Sequence, residues 1–141
     1  MNIVALTLRD VLIICGLLKN FPDSWNKSQI ESGFGAGTLR VLGIKEGDKI
    51  FGVILYSLSV DTADIEDLFV AEEYRRNGAG RLLVAAAAEE CKKAGRDKIF
   101  LEARKSNVAA LNLYAKSGFK KISERKKYYG DEDAVVMVKE L

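Results

Sequence analysis

Apolar and polar positions change their period several times along this chain. Residues 2–6, NIVAL, make a short apolar run that reads as a strand. From Thr7, a residue suited to cap a helix, the positions Val11, Ile14, Cys15 and Leu18 recur at helical spacing as far as Lys19, and Phe21-Pro22-Asp23 ends the run. A weaker helix is expected over residues 26–32, closed by the glycine-rich GFGAG of residues 33–37. Three strands follow over residues 38–44, 49–58 and 64–70, the first two joined by the charged turn Lys45-Glu46-Gly47-Asp48.

After the third strand the period becomes helical again. Residues 80–94 set Leu83, Ala87, Cys91 and Ala94 on one stripe, with Gly95 as the stop. Residues 98–103 are nearly continuous in apolar character, the pattern of a strand buried on both faces. Ser106 is placed to cap a helix over residues 107–116, which Gly118 stops. Strands over 119–124 and 134–139 finish the chain, and Lys126-Lys127-Tyr128-Tyr129-Gly130-Asp131 between them reads as an exposed loop. The order β-α-α-β-β-β-α-β-α-β-β predicts an α/β (α+β) chain, a mixed sheet with helices on its faces, free of internal repeats.

Composition narrows this picture. At 141 residues and 48% hydrophobic content the chain is expected to form one domain, 1–141, that folds without disulfides or a structural metal. Cys15 and Cys91 both sit in apolar, helix-like runs and read as buried free thiols of a reducing compartment. No basic segment precedes the first apolar residues, and the longest apolar stretch, Val11 to Leu18, is eight residues long. A membrane helix needs ~20, so a soluble, cytoplasmic protein is expected.

There is no histidine. That removes the commonest general base, the Ser-His triads and most zinc sites, and leaves proton chemistry to carboxylate, tyrosine, lysine, cysteine or water. The net charge of +2 is unevenly placed: residues 1–73 hold 6 Lys/Arg and 11 Asp/Glu, residues 74–141 hold 16 and 9, giving −5 and +7. Ordinary solvated surface explains such a split, and so does a second half that holds a polyanion, whether nucleic acid or a phosphorylated cofactor.

The sharpest motif is YRRNGAGRLL at residues 74–83. A glycine-rich turn opening a helix is the general recipe for binding phosphate, because the helix N-terminus offers unpaired N–H groups and partial positive charge. Two named versions fail. A P-loop needs Lys-Ser/Thr after its last glycine, where Arg81-Leu82 stand; the dinucleotide GxGxxG needs a glycine at Leu83 and a start directly after a strand, whereas residues 71–77 intervene. What remains is Arg75-x-x-Gly78-x-Gly80 flanked by Arg76 and Arg81, which fits a pyrophosphate; a tight turn needing glycine only for its own φ angles is the plainer explanation.

The stretch from Asp67 to Leu83 resembles the acetyl-coenzyme A motif of the GNAT N-acetyltransferases, Arg/Gln-x-x-Gly-x-Gly/Ala, and Leu101-Glu102-Ala103-Arg104-Lys105-Ser106-Asn107 through Leu113-Tyr114 to Gly118-Phe119 is similar to that family's second motif in order and spacing. The Leu-Glu-x-Arg, Ser-Asn and Leu-Tyr-x-x-x-Gly-Phe elements, with Tyr128-Tyr129 behind a basic run, look most like the ribosomal-protein alanine N-acetyltransferases of the RimI type. Phe21-Pro22-Asp23-Ser24-Trp25 also resembles that group's aromatic-proline segment, with Trp25 displaced.

The resemblance implies the GNAT fold, a mixed, mostly antiparallel sheet of about seven strands with about four helices, and acetyl transfer from acetyl-CoA to a protein N-terminus, that of an alanine-started ribosomal protein. It assigns Glu102 as the base, acting directly or through water, and Tyr114 as the acid that protonates the coenzyme sulfur. Glu102 is the one carboxylate in an otherwise apolar strand, where burial would raise its pKa; pairing with Arg104 or Lys105 is the structural alternative, as core packing is for Tyr114. By the same resemblance Leu68, Phe69 and Val70 pair with the pantetheine arm, Arg75, Arg76, Asn77, Gly78, Ala79, Gly80 and Arg81 carry the pyrophosphate, and Asn107 contacts the coenzyme.

On the acceptor side Trp25, Tyr128 and Tyr129 are expected to close on the peptide, Glu66 or Asp67 to meet its amino group, and Asp131, Glu132 and Asp133 to hold a basic acceptor; a solvated loop explains the loop residues equally well. No metal, membrane or nucleic acid is expected as a partner. The competing readings are acetylation of a small amine or a lysine, a non-catalytic acyl-CoA-binding module, and a nucleic-acid binder using Lys116, Lys120, Lys121, Arg125, Lys126 and Lys127.

Overall fold

The computed structural model describes residues 1–19 and 23–141. Its elements run β1 (Asn2–Leu6), α1 (Val11–Leu18), α2 (Lys27–Ala36), β2 (Leu39–Glu46), β3 (Lys49–Leu58), β4 (Thr62–Val70), α3 (Ala79–Lys93), β5 (Lys98–Arg104), α4 (Val108–Lys116), β6 (Lys120–Arg125) and β7 (Ala134–Glu140), with 3-10 turns at Leu8–Asp10 and Glu72–Tyr74. The expected element order holds throughout. The seven strands form one sheet in the order β1-β2-β3-β4-β5-β7-β6. Neighbours are antiparallel except β4 and β5, which are parallel.

Alternation on β3 explains the layering. Val53 and Leu55 face one side, where Ile14 and Leu18 of α1 and Ile30 of α2 pack; Ile54 and Tyr56 face the other, against Leu83, Ala87 and Cys91 of α3. Both faces of the strand are covered, so its residues 51–56 are buried throughout. Cys91 lies in the core and Cys15 is half-buried, and both are free thiols; burial pushes the Cys91 thiol up to about 11. Among the described residues no helix is long and apolar enough to cross a membrane.

Three sequence expectations change. The second helix does not stop at Ser32: Asn26 caps it, its Oδ1 accepting from the Gln29 N–H at 2.9 Å, and it runs through the glycines to Ala36 before Gly37 turns left-handed at φ +78°. Position 33 of that helix takes glycine because a Cβ there would come within 2.8 Å of Leu39 and 3.3 Å of the Trp25 ring. Asn107, not Ser106, caps α4, its Oδ1 accepting from the Ala110 N–H at 3.2 Å, while the Ser106 hydroxyl donates to Glu132 at 2.9 Å.

The third change positions the site. β5 is not buried on both faces: Ile99, Leu101 and Ala103 are, whereas Phe100, Glu102 and Arg104 are half-exposed. The cause is the parallel pairing, which joins only Thr62–Asp64 of β4 to Lys98–Phe100 of β5. Beyond Asp64 no pairing joins the two strands, although β4 continues to Val70 and β5 to Arg104. On the other side of β4, Tyr56 faces Ile65 and Leu55 faces Asp67, so Glu66 is the extra residue of a β-bulge. A cleft opens where the strands part.

Candidate active site

The cleft has a volume of about 630 Å³, and its lining comes from six separated stretches: Asp23 and Trp25, Asp64–Leu68 of β4, Phe100–Arg104 of β5, Asn107 with Ala110 and Tyr114 of α4, the Tyr128-Tyr129 loop, and Val136 of β7. Glu102, Tyr114, Glu66, Asp67, Leu68, Asn107, Trp25, Tyr128 and Tyr129 are thus brought together. Phe69, Val70 and residues 75–81 stand outside this lining, along the last residues of β4 and the turn into α3. Phe21 and Pro22 lie outside the described residues.

At the α3 end the two glycines answer to different demands. Gly78 sits at φ +83°, a left-handed turn that favours glycine, whereas Gly80 packs on α4, where an added Cβ would stand 3.2 Å from Leu113 Cδ2. The first helical bond runs from the Leu82 N–H to the Gly78 carbonyl at 3.0 Å, so the amides of Ala79, Gly80 and Arg81 precede the hydrogen-bonded ladder. Arg76, at φ +66°, Asn77 and Arg81 are exposed around this turn. Arg75 points elsewhere: its Nε–H donates to the Val70 carbonyl at 2.8 Å and its guanidinium stands 5.8 Å from the Phe69 ring centre.

Carboxylates crowd the β4 wall. Burial, and then the charge of Asp64, pushes Glu66 up to about 6. Burial likewise pushes Asp67 up to about 6, even though its Oδ2 accepts the Trp25 N–H at 2.8 Å. Asp67 is 7% exposed and its hydrogen bond goes to the Trp25 backbone, which fixes the segment after residue 23; Glu66, on the bulge, is the half-exposed one of the two.

Glu102 pairs with neither Arg104 nor Lys105. Its Oε1 accepts from Arg125 Nη1 at 2.6 Å, while Lys105 turns to Glu124 at 3.1 Å. Arg104 instead holds two loops together: it donates to Asp23 at 2.7 and 3.1 Å, to Asp131 at 2.8 Å and to Glu132 at 3.2 Å. Those contacts hold the Asp131 carboxyl below, and the Arg104 guanidinium above, their usual ranges. Asp133 accepts the Lys127 N–H at 2.9 Å. The acidic run 131–133 bonds its own loop and Arg104.

The aromatic loop is layered between the two arginines. Arg125 lies 4.3 Å from the Tyr128 ring, Tyr128 meets Tyr129 edge-on at 5.0 Å, and Arg104 lies 4.5 Å from Tyr129. Below it Tyr114 is buried and meets Phe119 at 5.7 Å. Burial, then the charges of Asp67 and Tyr129, raises its phenol well above the usual range, so it stays protonated at neutral pH. Sequence reasoning did not name Asp23, Asp64, Phe100, Arg104 or Arg125 as site residues; Phe100, Glu102 and Arg104 share one face at alternate positions of β5, and Arg125 lies on the edge strand β6.

The geometry invites comparison with known proteins. Residues 10–119 match the Acetyltransferase (GNAT) family. The chain belongs to that family. It is an acyltransferase, and it is 31% identical over 121 residues to the [Ribosomal protein bS18]-alanine N-acetyltransferase of Escherichia coli strain K12, covering 83% of this chain and 80% of the relative. The crystal structure of the ribosomal-protein-S18-alanine N-acetyltransferase from Escherichia coli superposes with a TM-score of 0.89 at 26% identity, covering 99% of this chain and 92% of the other. The NatC complex bound to Gag peptide and CoA superposes with a TM-score of 0.86 at 25% identity, over 100% and 99% of the two chains. The seven-stranded GNAT fold expected from the sequence is the fold observed.

Proposed function

We propose that residues 1–141 act as one cytoplasmic acetyltransferase domain that moves the acetyl group of acetyl-CoA to the N-terminal α-amino group of a protein, an alanine-started ribosomal protein. The observation that carries this reading is that a carboxylate, Glu102, and a buried phenol, Tyr114, line one cleft where β4 and β5 part. Trp25 and the Tyr128-Tyr129 loop line the same cleft and would meet the acceptor.

The residues present fit the coenzyme. The α3 amides of Ala79, Gly80 and Arg81, with exposed Arg76 and Arg81 beside them, suit a pyrophosphate, and Leu68 to Val70 offer a strand edge to the pantetheine arm. The α-amino nitrogen attacks the thioester carbonyl carbon, a C–N bond forms, and the C–S bond electrons leave with sulfur. Glu102 takes the amine proton, directly or through water, and Tyr114 gives its proton to the thiolate. An α-amino group has a pKa of ~7.7–8.0 against ~10.4 for lysine, so an N-terminus asks less of such a base at neutral pH.

Acetylation of a panel of peptides, with products located by mass spectrometry, tests this reading. Acetyl on the α-amino group of an alanine-started peptide is expected. Acetyl on lysine side chains or on polyamines alone would replace it with the small-amine or lysine reading.

A further inference from the structure

Arg125 holds one oxygen of Glu102, and the Tyr128 hydroxyl also stands close to the carboxylate. Oε1 accepts from Arg125 Nη1 at 2.6 Å, while Oε2 is shielded from solvent and has no hydrogen-bond partner among the described residues. A buried carboxylate oxygen without a donor is disfavoured, which suits an oxygen whose partner arrives with the substrate. Arg125 stands on the edge strand β6 and reaches Glu102 on β5 across the intervening β7. Its head is fixed from a second direction by the Tyr128 ring at 4.3 Å. Its neighbour Glu124 does not compete for it, being held by Lys105 and Lys121.

We propose that Arg125 is a positioning residue for Glu102: by holding Oε1 it leaves Oε2 as the oxygen that takes the proton from the acceptor amine. The inference rests on the reading of Glu102 as base. The proton leaves the nitrogen for Oε2 as the C–N bond forms; the C–S electrons leave with sulfur, which Tyr114 protonates. The charged and titratable groups around Glu102 are Arg125 from β6, Tyr128 and Tyr129 from the loop, and Asp64 from β4, while β7 opposes it with Val136. Arg125 is the cation hydrogen-bonded to Glu102; Arg104, two residues along the same face of β5, is held by Asp23, Asp131 and Glu132; and Asp64, raised by burial and then by Glu102, is the anion opposite.

The test compares Arg125→Met and Arg125→Lys with wild type on an alanine-started peptide from pH 5.5 to 9. Arg125 is exposed, so both variants are expected to fold. Arg125→Met is expected to lose roughly ten-fold or more in kcat, part of the ~100-fold or more that a general base supplies, with the KM for acetyl-CoA unchanged. The acid limb of its kcat/KM profile moves to higher pH, because the cation favouring the ionised carboxylate is gone. Arg125→Lys restores most of kcat and the limb. An unmoved limb, or a Lys variant no better than Met, overturns the proposal. Carboxyl carbon-13 titration of Glu102 reads the pair without an acceptor. An unchanged midpoint in Arg125→Met sinks the inference even if peptides are acetylated; a raised midpoint with no peptide N-terminus acetylated supports Arg125's hold on Glu102 and overturns the acceptor reading instead.

Discussion

The turn from Arg76 to Arg81 and the cleft around Glu102 lie at neighbouring parts of one sheet but are assembled from different materials. The turn offers backbone: consecutive amides at the start of α3, a left-handed Gly78, and a Gly80 that lets α3 approach Leu113 of α4. The cleft offers side chains from six stretches, Asp23 being 81 residues from the Arg104 it binds. A backbone device tolerates changes of side chain; a side-chain device depends on every partner. The proposed donor and acceptor functions should therefore separate under mutation.

The largest separation is expected from the proposed base and acid. Glu102→Gln and Tyr114→Phe should each lower kcat by ~100-fold or more while leaving the thermal shift produced by acetyl-CoA intact. If both variants keep wild-type turnover, the division of roles within the cleft is wrong.

Asp67→Asn probes what burial does at the β4 wall. Folded Asp67 titrates at about 6, against ~3.9 for an unperturbed aspartate. Between those values the folded chain binds more protons than the unfolded one, so stability should fall as pH rises from about 4 through 6 and the loss is complete above that. Asparagine still accepts the Trp25 N–H without carrying charge. The variant should gain up to ~3 kcal/mol over wild type at pH 8 and little at pH 4.5, read from urea melts. Glu66 titrates at about 6 as well, so some pH slope should persist in the variant.

Gly80→Val should act on the other region. Its Cβ would crowd Leu113, costing about 1–3 kcal/mol of stability and weakening acetyl-CoA binding more than peptide binding. A variant with unchanged acetyl-CoA affinity would remove the α3 turn from the donor site. The smallest effect is expected from Arg104→Met, which frees the loops at Asp23 and Asp131 and should raise the peptide KM several-fold without moving the KM for acetyl-CoA.

Much of the fold was legible because its signals are local. The helical stripe Leu83, Ala87, Cys91 and the left-handed Gly95 are read within a few residues, and the same holds for the Arg75–Arg81 turn. Misreadings arose where a residue answers to a distant neighbour. Gly33 and Gly35 look like a helix stop, yet both lie inside the helix, and position 33 takes glycine because Leu39 and Trp25 leave no room for a Cβ. Residues 98–103 look doubly buried, yet one face is open because β4 leaves β5 after Asp64.

From the amino-acid sequence alone came the order of elements, the family resemblance, and which residue types were available for proton chemistry in a chain without histidine. Tertiary structure decided which of them meet. That Glu102 binds Arg125 and not Arg104, that Arg104 ties residue 23 to residues 131 and 132, and that two carboxylates on β4 titrate near 6 all follow from strand divergence, a bulge and burial. Pairing and desolvation depend on distances in space, and separation along a chain does not encode those distances.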